Sequence, residues 1–160
     1  MLFRSSQYGF TPGVIESLGF LLEREKYHVS YAGTYRSQAA RLVEIILKIV
    51  FNGRKSDYIL IDTYSTTAFW FAYIAALIAR ILNVHYIPIL HGGDLPKRLT
   101  NSNRASKILF KNSYANVAVS GYLKHEFEER GYKVVLIPNS IDTCRRSEER
   151  RVGKECRSRW

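Results

Sequence analysis

A histidine, two glycines and an aspartate, His91-Gly92-Gly93-Asp94, come directly after the apolar run 86–90. An imidazole holds or moves a proton near neutral pH and can hydrogen-bond through either ring nitrogen. Paired glycines beside it leave room for a ligand to approach the backbone. A lone histidine is often only structural, but the end of a buried strand is where α/β sheets place their ligands, which favours a functional role. Three further turns have comparable chemistry. Asp62, Thr63, Tyr64, Ser65 and Thr66 follow the apolar run 58–61. Their carboxylate and hydroxyls suit sugar hydroxyls, while Thr63 or Ser65 also suits a helix cap. Residues 7–13 place Gly9, Pro12 and Gly13 beside a helix start, whose free N–H groups attract anions. That loop reads equally as a ligand loop or as a plain tight turn. Ser120-Gly121 ends the apolar stretch 117–119.

Several chemistries are excluded. The first loop lacks Gly-x-Gly-x-x-Gly and has no Gly-Lys-Ser/Thr, so it is neither a dinucleotide fingerprint nor a P-loop. A His-Gly-Gly-Gly oxyanion loop would need glycine where Asp94 stands. Its partner motif Gly-x-Ser-x-Gly is missing, since the chain around Ser120 reads Ala118-Val119-Ser120-Gly121-Tyr122. No His, Cys and carboxylate set has metal-ligand spacing, and no metal is expected. Cys144 and Cys156 come too late to form a disulfide framework.

The chain has 160 residues, 46% of them hydrophobic, and a formal net charge of +10. It can therefore bury a core, and its length suits one domain. The charge is unevenly placed. Residues 145–160 hold seven Lys/Arg and three Glu, which leaves residues 1–144 at +6. The stretch 146–160 has neither helical nor strand periodicity and resembles the translation of a sequencing-library adapter. We therefore expect a domain over 1–143 and a non-native, disordered tail over 144–160. Without the tail, the case for nucleic acid fails, and aromatics interleave poorly with the remaining charges. Lys97, Arg98, Arg104, Lys107 and Lys111 form a basic group suited to a phosphate or an anionic membrane, or simply to solvent. Residues 68–79 carry no charge, but twelve residues are too few to span a bilayer, so a helix buried on a sheet is expected. The start lacks a signal peptide pattern, which points to the cytoplasm.

These turns need elements to position them. Strands are expected over 1–5, 28–32, 58–61, 86–90, 117–119 and 134–137. Helices are expected over 12–24, 37–51, 65–82, 105–111 and 121–130, the first with Thr11 as cap and Pro12 at its first position. The second should bury Leu42, Val43, Ile46, Leu47 and Val50 and close at Asn52-Gly53. Alternating strands and helices predict an α/β fold, a doubly wound, Rossmann-like parallel sheet with helices on both faces.

In order and spacing, four segments resemble the N-terminal half of a GT-B glycosyltransferase of the large retaining group called family 4, or group 1. They are the Gly9, Pro12, Gly13 loop, Pro88-Ile89-Leu90-His91-Gly92-Gly93, Val117-Ala118-Val119-Ser120, and Val135 to Asp142 with Pro138-Asn139-Ser140-Ile141-Asp142. The last resembles the family's interdomain link, with Ser140 where glycine is usual. The resemblance covers about residues 1–143. It implies a nucleotide-sugar donor as co-substrate, no cofactor or required metal, and a glycan or lipid-linked acceptor. The first loop would border acceptor and donor diphosphate, and His91 would reach the transferred sugar. Ser120 and Asn139 would shape the cleft floor and hinge, and Asp62, Thr63, Gly92, Gly93 and Asp94 would line it. The family's nucleotide contacts lie in a C-terminal domain that is missing here, so the fragment is expected to be inactive, with apolar surface exposed. Peripheral contact with the inner membrane face fits such an acceptor. The alternative is a small flavodoxin-like nucleotide- or phosphate-binding domain without catalysis. The enzyme reading requires the turns near 10, 63, 91 and 120 to share one rim, with the imidazole reachable.

Overall fold

The computed structural model describes residues 2–3 and 14–138. Strand and helix alternate through them: β1 (Leu2–Phe3), α1 (Val14–Arg24), β2 (Tyr31–Ala32), α2 (Gln38–Asn52), β3 (Tyr58–Thr63), α3 (Ala68–Ile81), β4 (His85–Leu90), α4 (Leu95–Asn101), α5 (Asn103–Lys111), β5 (Asn116–Ala118), α6 (Gly121–Glu128) and β6 (Val134–Leu136). All paired strands are parallel, in the orders β1-β2 and β3-β4-β5-β6, and β1 lies alongside β3. Parallel neighbours need crossovers, and the helices supply them. The expected Rossmann-like α/β architecture is the observed one.

One face of the sheet carries most of the core. Ile59, Ile61, Tyr86, Leu90, Ala118 and Val134 pack under Ile45 and Ile49 of α2, the alanines of α3, Phe110 of α5 and Phe127 of α6. Ala72, Ala75, Ala76 and Ala79 are wholly or almost wholly buried, so α3 seats closely on β3 and β4. Phe69, Phe110 and Phe127 each contribute about 1.5–3 kcal/mol by leaving water. On the opposite face, among the described residues, Leu18 of α1 packs with Ile89, Leu60 and Val117. Among the described residues no helix is long and apolar enough to cross a membrane.

Several sequence expectations shift. β2 is shorter than expected, and α4 was not foreseen; Pro96 occupies its first turn, which needs no N–H from that residue. α3 starts at Ala68 rather than 65, and the nearest side-chain cap is Thr66 Oγ1, which accepts from the Ala68 N–H at 3.4 Å. Thr63 and Ser65 therefore do not cap it. Gly53 does not stop α2 in a left-handed turn. Its φ is −57°, the chain continues into a short 3-10 turn (Gly53–Lys55), and the Ile49 side chain sits 3.4 Å from where a Cβ would stand.

The largest change is the orientation of α2. It buries Glu44, Ile45 and Ile49 and leaves Val43, Leu47 and Val50 exposed. Its polar residues Gln38, Arg41, Glu44, Lys48 and Asn52 share one stripe and leave an apolar arc wider than the buried face, so periodicity alone does not choose which part of the arc faces the sheet. The polar demand of the β2–α2 turn chooses it. The Glu44 carboxylate accepts from the Gly33 N–H (3.1 Å), the Thr34 N–H (2.8 Å) and the Thr34 hydroxyl (3.0 Å), and it pairs with Lys48 Nζ at 2.7 Å. The first-strand loop, with Gly9, Pro12 and Gly13, lies outside the described residues, as do Asn139 and the tail.

Candidate functional site

Because β3, β4 and β5 are adjacent and parallel, the turns that follow them open on one edge of the sheet. Three of the four singled-out turns thus share a rim, and α4 touches α6 across it. The fourth, residues 7–13, lies outside the described residues.

The centre of this rim is a pair of side chains from neighbouring strands. Asp62 lies at register with Ile89, near the end of β3. His91 extends β4 by one ladder bond, its N–H donating to the Thr63 carbonyl at 2.9 Å. The strand pleat sends both side chains to the face that carries Leu60 and Ile89, and His91 Nε2 meets Asp62 Oδ1 at 2.7 Å. A carboxylate only accepts, so Nε2 carries the hydrogen and Nδ1 is left for another partner. Tyr64 stacks on the imidazole, with centroids 4.9 Å apart and planes 17° off parallel. Burial, and then the Asp62 charge, raise the Tyr64 phenol above its ordinary value, which keeps it a neutral hydroxyl.

This arrangement corrects one expectation. His91 is on the rim but not open: its side chain is 7% exposed, because Asp62 holds one edge and Tyr64 covers a face. Tyr64 is itself 38% exposed, so a single exposed ring covers the imidazole on that side. Thr63 is a second correction. It is fully buried, and its hydroxyl donates to the Ile61 carbonyl at 3.2 Å, so it faces the core rather than a ligand.

The turn after His91 is open. Gly92 adopts φ +86°, a left-handed conformation that favours glycine, and among the described residues a Cβ at Gly92 or Gly93 would meet nothing within 4 Å. Asp94 is exposed and paired with Lys97 at 2.9 Å. Arg98 ties α4 to the β3–α3 turn: it donates to the Thr66 carbonyl at 3.2 Å and lies 5.1 Å over the Phe69 ring. Ser120 is half-buried, and its hydroxyl accepts from the Leu123 N–H at 3.3 Å, capping α6. That cap fixes the rim's far side. The Ile137 N–H donates to the Ala118 carbonyl at 2.9 Å, so the chain approaching Asn139 also runs along β5.

Two other hollows, of about 350 and 400 Å³, open at the amino ends of the strands around Arg54, Tyr58, His85 and Tyr114, away from His91. Their lining is polar and open, and the residues singled out by sequence do not lie there. Among the described residues no group of three His, Cys, Asp or Glu side chains stands close enough to hold a metal.

Sequence reasoning placed His91 and Asp62 at strand ends but missed their pairing. The signal was available: both lie at the carboxyl ends of two apolar runs predicted to be successive parallel strands. It also missed Tyr64 as the ring that covers His91, because stacking depends on a turn conformation that no local pattern encodes.

No curated protein and no solved structure matches the chain significantly. The sequence model described as Glycosyltransferase Family 4 matches residues 23–145, which contain β3 to β6, the Asp62–His91 pair and the glycine turn. The chain belongs to glycosyltransferase family 4.

Proposed function

We propose that this domain is the acceptor-side half of a retaining glycosyltransferase. It moves a sugar from a nucleotide-sugar donor to a glycan or lipid-linked acceptor. The observation that carries this reading is the Asp62–His91 pair beside an unfilled glycine turn, at the carboxyl rim of a parallel sheet in a family 4 chain. Sugar transfer needs a site that excludes water and stabilises charge on the departing diphosphate. A parallel sheet presents ligands at this rim.

In this reading Asp62 is a positioning residue that fixes the imidazole's tautomer and angle. Nδ1 of His91 holds a hydroxyl of the transferred sugar once Tyr64 swings aside. Gly92 and Gly93 leave space for the sugar, and Asp94 borders it. Gly9, Pro12 and Gly13 would border the diphosphate, and Ser120 and Asn139 the cleft floor. The nucleotide is held by a second domain, so turnover requires both halves and the fragment alone is inactive. No metal takes part.

The test extends the gene downstream of codon 145, offers a panel of nucleotide sugars with lipid-linked and glycan acceptors, and measures transfer and product anomeric configuration. Transfer with retention, lost in His91→Ala, supports the reading. Undiminished transfer by His91→Ala overturns the site, and hydrolysis without transfer overturns the function.

A further inference from the structure

We propose that the amino edge of the sheet is a binding site for an oligosaccharide that carries an acidic sugar. Three rings form a row there. Tyr58 opens β3 and pairs in register with His85, which opens β4. Tyr114 extends the row, because its N–H donates to the Tyr86 carbonyl at 3.0 Å. Ring centroids lie 5.9 Å apart for Tyr58 and His85, 5.3 Å for His85 and Tyr114, and 5.2 Å for Tyr58 and Tyr114. Both contacts of Tyr114 are edge-on, and the residue stays 54% exposed. None of the three rings belongs to the core. Two hollows, of about 350 and 400 Å³, flank the row. Arg54 and Asp57 line the first, and Arg80, Asn112 and Ser113 line the second. Asn83, Val84 and His85 form a wall common to both.

The lining selects the ligand. These hollows are open and polar, so they do not suit a ligand that needs an enclosed apolar pocket. Guanidinium, carboxylate and amide groups are planar and each can hydrogen-bond two neighbouring hydroxyls of a sugar. An exposed aromatic ring offers its face to the C–H side of the same sugar. Two like hollows on either side of one wall suit a ligand made of repeating units. Charge sets its acidity. Neither Arg54 nor Arg80 forms an ion pair among the described residues. In the second hollow no carboxylate faces Arg80, which fits a sugar carboxylate. In the first, Asp57 balances Arg54, which fits a neutral unit. A nucleic-acid strand would set a phosphate against Asp57 as well. A chain alternating acidic and neutral sugars matches both hollows.

This site is separate from the proposed transfer site: His85 and His91 stand at opposite ends of the six-residue β4, about 20 Å apart. The test measures binding without transfer, so its failure leaves the glycosyl-transfer reading intact. It titrates the full chain with a hyaluronan tetrasaccharide, in which acidic and neutral sugars alternate, by calorimetry and amide NMR. Shifts are expected at Asn83, Val84, His85 and Tyr114 and not at Gly92 or Gly93, with binding unchanged in His91→Ala. Neutral chitotetraose should bind about tenfold more weakly, and so should Arg80→Ala with the hyaluronan probe. Tyr114→Ala should lose about five- to tenfold, while Tyr114→Phe keeps the ring and stays within about twofold. Arg80 and Tyr114 are both exposed, so circular dichroism should stay unchanged. Equal affinity for chitotetraose overturns the proposal. So does undiminished binding by Arg80→Ala and Tyr114→Ala, or shifts confined to the basic stretch 145–160. Tighter binding of a uridylate tetranucleotide overturns it too.

Discussion

Removing the Glu44 carboxylate should be among the costliest single changes in this domain. In Glu44→Ala the buried Gly33 N–H and the partly buried Thr34 N–H lose their acceptor. An orphaned buried donor costs about 1–3 kcal/mol, with the Thr34 group at the low end because water can reach it. The Lys48 pair adds little, since its ammonium is about a third exposed: roughly 0.5 kcal/mol after solvent screening. Together these give about 3 kcal/mol. Glu44→Gln keeps one acceptor oxygen and should cost about 1–1.5 kcal/mol. Urea unfolding followed by circular dichroism reads both changes, and with a slope near 1.5 kcal/mol/M the Ala variant loses about 2 M of midpoint. The pH dependence is a second check. Burial raises the Glu44 carboxyl, but the Lys48 and Thr34 hydrogen bonds outweigh it and hold it below its ordinary value of 4.5. A lowered folded-state value means stability that is present above the unfolded value and lost as pH falls through the folded one. The penalty of Glu44→Gln should therefore be full at pH 7 and shrink below about pH 4.5. An Ala penalty under about 1 kcal/mol, or a Gln penalty equal at pH 3 and pH 7, refutes the account of why α2 faces as it does.

Other outcomes follow from the rim and the core. Asp62→Asn preserves a hydrogen bond to His91 but no longer selects its tautomer, so in the two-domain enzyme kcat should fall about 10–100-fold with an unchanged unfolding midpoint. Gly92→Ala forces a side chain into φ +86° and should cost about 1–2 kcal/mol. Gly93→Ala meets no neighbour, so the fold should be unaffected while KM for the donor rises. Burial pushes the Tyr86 phenol up to about 12, and its hydroxyl donates to the Leu109 carbonyl at 2.9 Å. A raised folded-state value in an acid of this kind means stability lost as pH climbs from 10 toward 12. Tyr86→Phe should lose about 1 kcal/mol at neutral pH and flatten that alkaline decline.

The strand–helix alternation was legible because continuous apolar runs such as 58–61 and 86–90 have no other good home than a parallel sheet covered by helices. Turn chemistry was legible for the same reason: Asp62, His91 and Ser120 each follow such a run and so stand at its carboxyl end. Helix orientation was not legible. α2 carries one polar stripe (Gln38, Arg41, Glu44, Lys48, Asn52) and a wide apolar arc, and which edge of that arc faces inward depends on Glu44 meeting two N–H groups about ten residues earlier in the chain. Nor was accessibility. Whether an imidazole at a strand end is open or covered depends on the ring of Tyr64, which sits beside His91 only because β3 and β4 are in register.

Sequence was enough for the order of the strands and of every helix but α4, for the sheet's parallel sense and for which short turns hold polar chemistry. These follow from patterns within one segment at a time. Tertiary structure alone decided that Asp62 grips His91, that Thr63 points into the core, and that Val43, Leu47 and Val50 face outward. Each of those outcomes is a contest between groups distant in the chain for the same buried space or the same hydrogen bond. A residue's own pattern does not contain the competitor.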